Sequence, residues 1–308
     1  MQKQSGDIVM FHLPPEFDAT IYLARNPDLS EMTQDQAVEH YAMFGSKEGR
    51  ICSMVSARSQ FLALVPKTTA LLEIGPYTAP AFRQPDHNVQ YLDAFSTEEL
   101  RIKAAAVGLD ATGVPEIDYV WYGEPYANLV RKRMDAVFSS HNIEHQPDLI
   151  RHLREVGNIL NRGGLAFLII PDRRYCFDHF LPDTTIADVF GSYYAGQTRH
   201  NAASIFEHRM LTTHNNAARH WTGDHGATSL ANGATSDVLA MIHETFKRIE
   251  GSQGYIDTHA WQFTPSSFRL IIDILSKLHL IPFQLDKIYP TLRDDFEFYV
   301  VLRRIPDA

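Results

Sequence analysis

A mainly parallel α/β sheet with helices on both faces is the fold this sequence predicts, and three observations carry it. Short apolar runs alternate with segments of helical period, the pattern of strands joined by crossover helices. The run 165–170 is apolar throughout, as expected of a central strand buried on both faces. The stretch Leu71-Leu72-Glu73-Ile74-Gly75-Pro76 drives an apolar run into a carboxylate and a glycine turn, the form of a strand end at the ligand-binding edge of an open sheet.

Taken in order, residues 1 to about 15 are polar and end in Pro14-Pro15, a tail or strap. Residues 16–50 predict a small helical unit. Ala37, Val38, Tyr41 and Phe44 share one helical face, and Gly45 stands where a helix would stop. Residues 53–65 predict a further helix leading into the first strand. A second strand, 89–93, ends in Asp93, eighteen residues beyond Gly75. Ser96 and Glu99 form a capping box for a helix to about Val107. Third and fourth strands follow at 117–121 and 134–140. Pro147 opens a helix carrying Leu149, Ile150, Leu153, Val156 and Ile159 on one face, and Gly163-Gly164 ends it before the fifth strand. Residues 172–258 break the rhythm. They are rich in His, Thr, Asn and Gly, with one helix at 236–249, and form an insertion. Thr264-Pro265 starts the last helix, and two strands close the chain at 283–289 and 296–303. The division is an N-terminal module over 1–52 and an α/β domain over 53–308.

Composition narrows the function classes. A net charge of −9 argues against a broad nucleic-acid-binding face, and Arg131-Lys132-Arg133 reads as a solvated patch. The two cysteines, Cys52 and Cys176, form no CxxC pair and no disulfide framework. No basic stretch precedes an apolar core at the N-terminus, and no apolar run is long enough to span a bilayer, so the expectation is a cytoplasmic protein without a transmembrane segment.

Over residues 70–304 the chain resembles the class I S-adenosylmethionine-dependent methyltransferases. The pieces are Leu72-Glu73-Ile74-Gly75-Pro76, Asp93 at the end of the second strand, the run from Asp135 through Ser139-Ser140-His141-Asn142-Ile143-Glu144-His145-Gln146-Pro147-Asp148, the turn Asn161-Arg162-Gly163-Gly164, and the closing strand pair. The stretch Ile170-Pro171-Asp172-Arg173-Arg174-Tyr175-Cys176-Phe177-Asp178 resembles a bacterial subgroup, some members of which are similar to enzymes of surface-glycan modification. The resemblance implies a Rossmann-like, seven-stranded sheet with an antiparallel final hairpin. It implies S-adenosylmethionine as cofactor, with Glu73, Gly75, Pro76, Asp93, Ser140 and His141 binding it. Glu73 would order the loop, and Gly75 would admit the methionine portion. The single glycine agrees: a pyrophosphate needs the close backbone approach of G-x-G-x-x-G, and S-adenosylmethionine has no phosphate. The family has further glycines where Tyr77 and Ala79 stand, so bulk there would narrow the pocket. The acid expected after the third strand has Tyr122 and Glu124 as candidates. Residues 16–50 resemble a module found beside bacterial glycosyltransferases of surface-polysaccharide assembly, which makes a glycosyltransferase a candidate partner.

The residues with chemistry cluster after the fourth and fifth strands. His141-x-x-Glu144-His145 matches the pattern of inverted zinc peptidases, but that chemistry needs a continuous helix, and Pro147 restarts the helix just beyond. His145 or His141 suits a general base for a hydroxyl proton. Asp172 could bind an acceptor hydroxyl or help hold a metal. Arg173, Arg174, Tyr175 and His179 suit a carboxylated or hydroxyl-rich acceptor. Eight of the 15 histidines fall between His179 and His259. With His220-Trp221-Thr222-Gly223-Asp224-His225 and His259-Ala260-Trp261 as the most site-like pieces, they predict an acceptor-binding lid that includes His225 and Trp261. Their irregular spacing assigns no metal ligand, and a divalent metal is compatible with the sequence but unsupported. The leading expectation is methyl transfer to a small polar acceptor, a hydroxyl of a sugar or surface glycan. A methyltransferase-like binding or scaffold protein in glycan assembly is the alternative, and a different nucleotide-dependent enzyme on the same fold is a third.

Overall fold

The computed structural model describes residues 13–251 and 256–306; the tail read over residues 1–12 lies outside them. The strands β1 (Leu71–Ile74), β2 (Val89–Asp93), β3 (Tyr119–Val120), β4 (Met134–Ser140), β5 (Leu160–Pro171), β6 (Phe283–Tyr289) and β7 (Glu297–Arg304) form one sheet in the order β3-β2-β1-β4-β5-β7-β6. Every pairing from β3 to β5 is parallel; β7 runs antiparallel to both β5 and β6. The chain order doubles back at β1/β4, so the carboxyl ends of β1, β2 and β4 open on one crevice, where an open α/β sheet takes its ligand. The seven-stranded, Rossmann-like sheet with its antiparallel final hairpin is the one expected.

Alternation along the strands fills two cores. Leu72, Ile74, Val137, Leu168 and Ile170 face the helices α6 (Leu149–Ile159) and α11 (Pro265–Lys277). Leu71, Ala136, Phe138, Phe167 and Ile169 face the opposite way, onto Phe61 of α3 (Arg58–Leu62), which stacks on Tyr299 with ring centroids 5.0 Å apart. The capping boxes at Ser96, which opens α4 (Thr97–Ala106), and at Thr264, which opens α11, form as expected.

Several boundaries differ from expectation. α6 starts at Leu149, not Pro147: the Asp148 carboxylate accepts from Arg151 N at 2.9 Å and is the true cap. Gly163-Gly164 does not end α6. β5 already begins at Leu160, and the two glycines lie in a register shift in which Met134 faces Leu160 but Ala136 faces Leu165. Gly163 sits at φ +73°. The third strand shrinks to two residues, and α3 to five.

The insertion is more regular than its composition suggested. It holds α7 (Ile186–Tyr194), α8 (Ala202–Leu211) and α9 (Ala217–Trp221), none of them expected, before α10 (Ser236–Gly251), which was. α5 (Tyr126–Leu129) packs against α6.

The N-terminal unit has its own small core of Tyr22, Leu29, Ala37, Tyr41 and Cys52, built by α1 (Ala19–Arg25) and α2 (Gln34–His40). α2 widens into a π turn over Tyr41–Gly45, so Gly45 does not stop it. What Gly45 provides is closeness: a Cβ there would stand 2.1 Å from the Tyr22 hydroxyl. The turn also rotates Phe44 out of the expected face, leaving it half exposed. Backbone pairing of Arg293 N with Gly49 O at 3.1 Å and of Ile288 N with the Glu16 carboxylate at 2.9 Å joins the unit to the sheet end. No helix among the described residues is long and apolar enough to cross a membrane.

Candidate functional site

A cavity of about 1020 Å³ opens at the carboxyl ends of β1, β2 and β4. Its floor begins at Gly75. There the chain turns at φ +72°, with Gly75 N donating to Leu92 O at 2.9 Å, and a Cβ would press on the Asn142 side chain at 3.0 Å. A glycine is therefore required both by the left-handed backbone and by the close approach. Beneath it, Glu73 is buried and accepts from Ala81 N at 2.7 Å and Phe82 N at 3.2 Å. It orders the loop, as expected, but does not line the cavity. Burial pushes its carboxyl up to about 7, against the two amide donors that favour the charged form.

Tyr77 and Ala79 do not narrow this space. Tyr77 adopts φ +42° and packs in the cluster of Leu100, Ala104 and Val114, beside Phe95, and neither it nor Ala79 nor Pro76 reaches the cavity wall. Asp93 does. Its Oδ1 accepts from Phe95 N at 3.1 Å, and burial raises its carboxyl to about 6. Lys103 lies 3.5 Å over the Phe95 ring beside it. Trp121, Tyr122 and Glu124 continue this wall; Glu124 folds back on its own loop, accepting from Tyr122 N at 2.8 Å, while Trp121 Nε1 donates to Glu124 O at 2.6 Å.

The opposite wall is the loop after β4. His141 sits at φ +49°, and its Nε2 stands 2.7 Å from Glu297, which Arg58 also holds. His145 pairs through Nδ1 with Asp257 at 2.9 Å. Burial pulls the His145 imidazole down, but the hydrogen bond to Asp257 and the field of Glu144 outweigh it and leave it raised. The loop between them is a 3-10 turn over Ile143–His145, not a helix, so the peptidase geometry does not form. Gln197, Thr198 and Arg199 between α7 and α8, with Arg248 of α10 and Asp257, close the far side. The insertion thus covers the cavity, through residues no motif singled out.

Of the residues expected at the site, Gly75, Asp93, His141 and His145 meet there, with the candidates Tyr122 and Glu124. The others do not line it. The Ser140 hydroxyl accepts from Arg58 at 2.9 Å. Asp172 is fully buried, forked by Arg174 at 2.9 and 2.6 Å and bonded by Thr291 Oγ1 at 2.7 Å, and does not line the cavity. Arg173 pairs with Asp183 at 2.8 Å. Tyr175 stacks on Trp221 at 3.9 Å and His179 on His225 at 3.6 Å, while Trp261 is buried with Nε1 donating to Gln146 O at 2.6 Å. The cause is one turn of chain: Asp172 bridges to Phe263 and Arg173 N donates to Phe263 O, which ties this segment to the chain just before α11.

Two groups of side chains among the described residues bring metal-ligating atoms together, Glu144 with His145 and His259, and His179 with His220 and His225.

No family model and no curated protein matches the chain. Among solved structures, an S-adenosylmethionine-dependent methyltransferase from Clostridium acetobutylicum is similar at 11% identity over 88% of this chain and 99% of that one, with a TM-score of 0.39. One from Mesorhizobium loti is similar at 14% identity over 80% and 96%, with a TM-score of 0.36. One from Methanosarcina mazei is similar at 12% identity over 82% and 100%, with a TM-score of 0.38. No residue role is carried over from likeness of this degree.

Proposed function

We propose that this chain is an S-adenosylmethionine-dependent methyltransferase acting on a hydroxyl of a small polar acceptor, of the sugar or glycan class. The observation that supports it most is the placement of Gly75 and Asp93 on one cavity at the carboxyl edge of the sheet. The residues fit that cofactor. Asp93 offers a carboxylate to the ribose diol, one oxygen of it already anchored by Phe95 N. The bare Gly75 leaves room for the methionine portion against Asn142. Trp121 gives an apolar face near the ribose acid, and the loop shows none of the repeated glycines a pyrophosphate would need. A site of this volume lies at the upper end of small-molecule pockets, about 300–1,000 Å³, and so leaves space for an acceptor beside a cofactor.

Bound S-adenosylmethionine supplies an electrophilic methyl group. The chain supplies alignment, the larger share of such catalysis, and a base. His141 suits that role: Glu297 fixes the ring through Nε2, while Nδ1 stands 3.6 Å from Glu144, beyond hydrogen-bond reach. Arg199, Arg248, Gln197 and Thr198 offer donors to a hydroxyl-rich or acidic acceptor. The bulk at Tyr77 that favoured a binding-only protein points out of the cavity, which weakens that alternative. We treat residues 16–50 as a docking module on the strength of their separate core; a glycosyltransferase is the partner class to try first.

Titration calorimetry with S-adenosylmethionine tests the reading. One site per chain is expected, weakened at least tenfold in Asp93→Ala. Absence of binding, or indifference to that substitution, would sink it. Mass spectrometry of hydroxylated sugars incubated with the protein then identifies the methylated atom.

A further inference from the structure

Behind the wall that His145 forms, Glu144 is fully buried, and neither of its carboxylate oxygens has a hydrogen-bond partner among the described residues. A carboxylate stripped of water without a donor is among the costliest arrangements a core can hold. What surrounds Glu144 Oε1 is imidazole: His145 Nε2 at 3.9 Å, His259 Nε2 at 3.9 Å and His141 Nδ1 at 3.6 Å. Each ring is backed by a carboxylate on its other nitrogen. His145 Nδ1 lies 2.9 Å from Asp257, His259 Nδ1 2.5 Å from the buried Asp178, and His141 Nε2 2.7 Å from Glu297.

We propose that Glu144, His145 and His259 form a binding site for one divalent d-block cation of the zinc class. Three features of the geometry support it. A carboxylate on the far nitrogen is the second layer that metal-bound histidines carry. The inward atoms stand off from Glu144 beyond hydrogen-bond reach, whereas a charge-assisted N–H to carboxylate contact closes to about 2.7–2.9 Å. Donors on a tetrahedral zinc at about 2.0–2.1 Å stand roughly 3.3 Å apart, and the three donor atoms here already lie within 4.8 Å of one another, so an ion would draw them in by about 0.5–1.5 Å. Two nitrogens and one oxygen select against calcium and magnesium, which take oxygen ligands.

The backbone is already built to hold the ligands together. Glu144 O accepts from Ala260 N at 2.7 Å and Trp261 N at 3.2 Å, which pins the turn after β4 to the segment before α11. The rings of His145 and His259 meet edge to face, with centroids 4.6 Å apart. Three protein ligands leave a fourth position for water. The site goes beyond the methyl-transfer reading and stands or falls without it.

The test uses the full chain stripped by chelator, then titrated with cobalt(II) and zinc(II). One equivalent per chain is expected, with visible cobalt absorption and a rise in melting temperature on adding zinc. Glu144→Gln and His259→Ala should each weaken binding at least tenfold, and Asp257→Asn, at an exposed position on the cavity rim, by less. Glu144→Gln also reports without metal: the stripped variant should melt at or above the stripped wild type, because the unpaired charge is gone. Absence of binding would overturn the proposal. So would binding unaffected by Glu144→Gln but lost in His225→Ala, which would place the ion in the other histidine group. A stripped Glu144→Gln that melts well below wild type would overturn it too, by showing that protonated histidines already neutralise the carboxylate.

Discussion

Glu73 and Ala81 are joined by a 2.7 Å hydrogen bond from the amide to the carboxylate, so the loop that shapes the cavity floor hangs from a side chain of β1. Burial raises that carboxyl to about 7 from an ordinary value near 4.5. Between those values the folded chain holds a proton that the unfolded chain has lost. The contribution to stability is therefore complete below about pH 4.5 and declines as pH rises through 7. Glu73→Gln removes the proton exchange while keeping an acceptor. Melting curves from pH 5 to 8 should show wild type losing stability relative to Glu73→Gln as pH rises, by up to the order of 3 kcal/mol. A gap independent of pH would contradict this. Glu73→Ala strands two amides, at about 2 kcal/mol, and its deficit against wild type should likewise shrink as pH rises from 5 to 8, because it too lacks the titrating group.

Asp93 carries the opposite consequence for ligand binding. Its carboxyl is raised to about 6 by burial, so it is largely neutral at pH 5 and charged at pH 7. A ribose diol donates more strongly to the charged form. Affinity for S-adenosylmethionine should accordingly rise several-fold between pH 5 and 7 and then level off. Asp93→Asn should bind weakly and show no such rise. Calorimetry across this range decides it, and an affinity that falls with pH would assign the ribose elsewhere.

Arg199 and Arg248 reach the far wall from either side of α8, one from the loop before it and one from α10. If they hold the acceptor and not the cofactor, Arg199→Ala and Arg248→Ala should raise the acceptor KM roughly tenfold, the cost of one charge-assisted hydrogen bond of about 1.5 kcal/mol. The cofactor affinity should stay unchanged. Steady-state kinetics with each substrate varied in turn separates the two.

The order of strands was legible because each strand is a short apolar run, and its neighbours announce themselves through caps such as Ser96 and Thr264. Gly75, Asp93, His141 and His145 were legible for the same reason: each ends or follows a strand whose edge is known. α8 and α9 were not. They bury little, Ile205 and Met210 in one and His220 in the other, and a helix held by packing leaves little trace in periodicity. Their caps, Asn201 and Asn216, were the only readable marks. The residues after β5 misled for a different reason. Distance from a strand end says nothing of which way the chain then turns, and a single bridge from Asp172 to Phe263 ties it to the chain just before α11. Gln197 reaches the site by the reverse route, from a loop whose sequence carries no pattern, and Arg248 from α10, a helix that was expected but not as part of the site.

Asp172 provides the sharpest separation of those two outcomes. The sequence places it among the catalytic residues; the structure places it in a buried ion pair with Arg174, with Thr291 completing its hydrogen bonds. Removing Asp172 leaves the Arg174 charge without its partner, but that side chain is 37% exposed, so water takes up part of the charge left behind and the loss falls below the cost for a fully buried pair, about 3–5 kcal/mol. Asp172→Ala should still lower the melting temperature. Measured below that temperature, its methyl-transfer rate per folded molecule should match wild type. His141→Ala should do the reverse, with little change in melting and a loss of rate on the order of a hundredfold for a base. A folded Asp172→Ala that binds both substrates yet fails to turn over would return the carboxylate to the reaction.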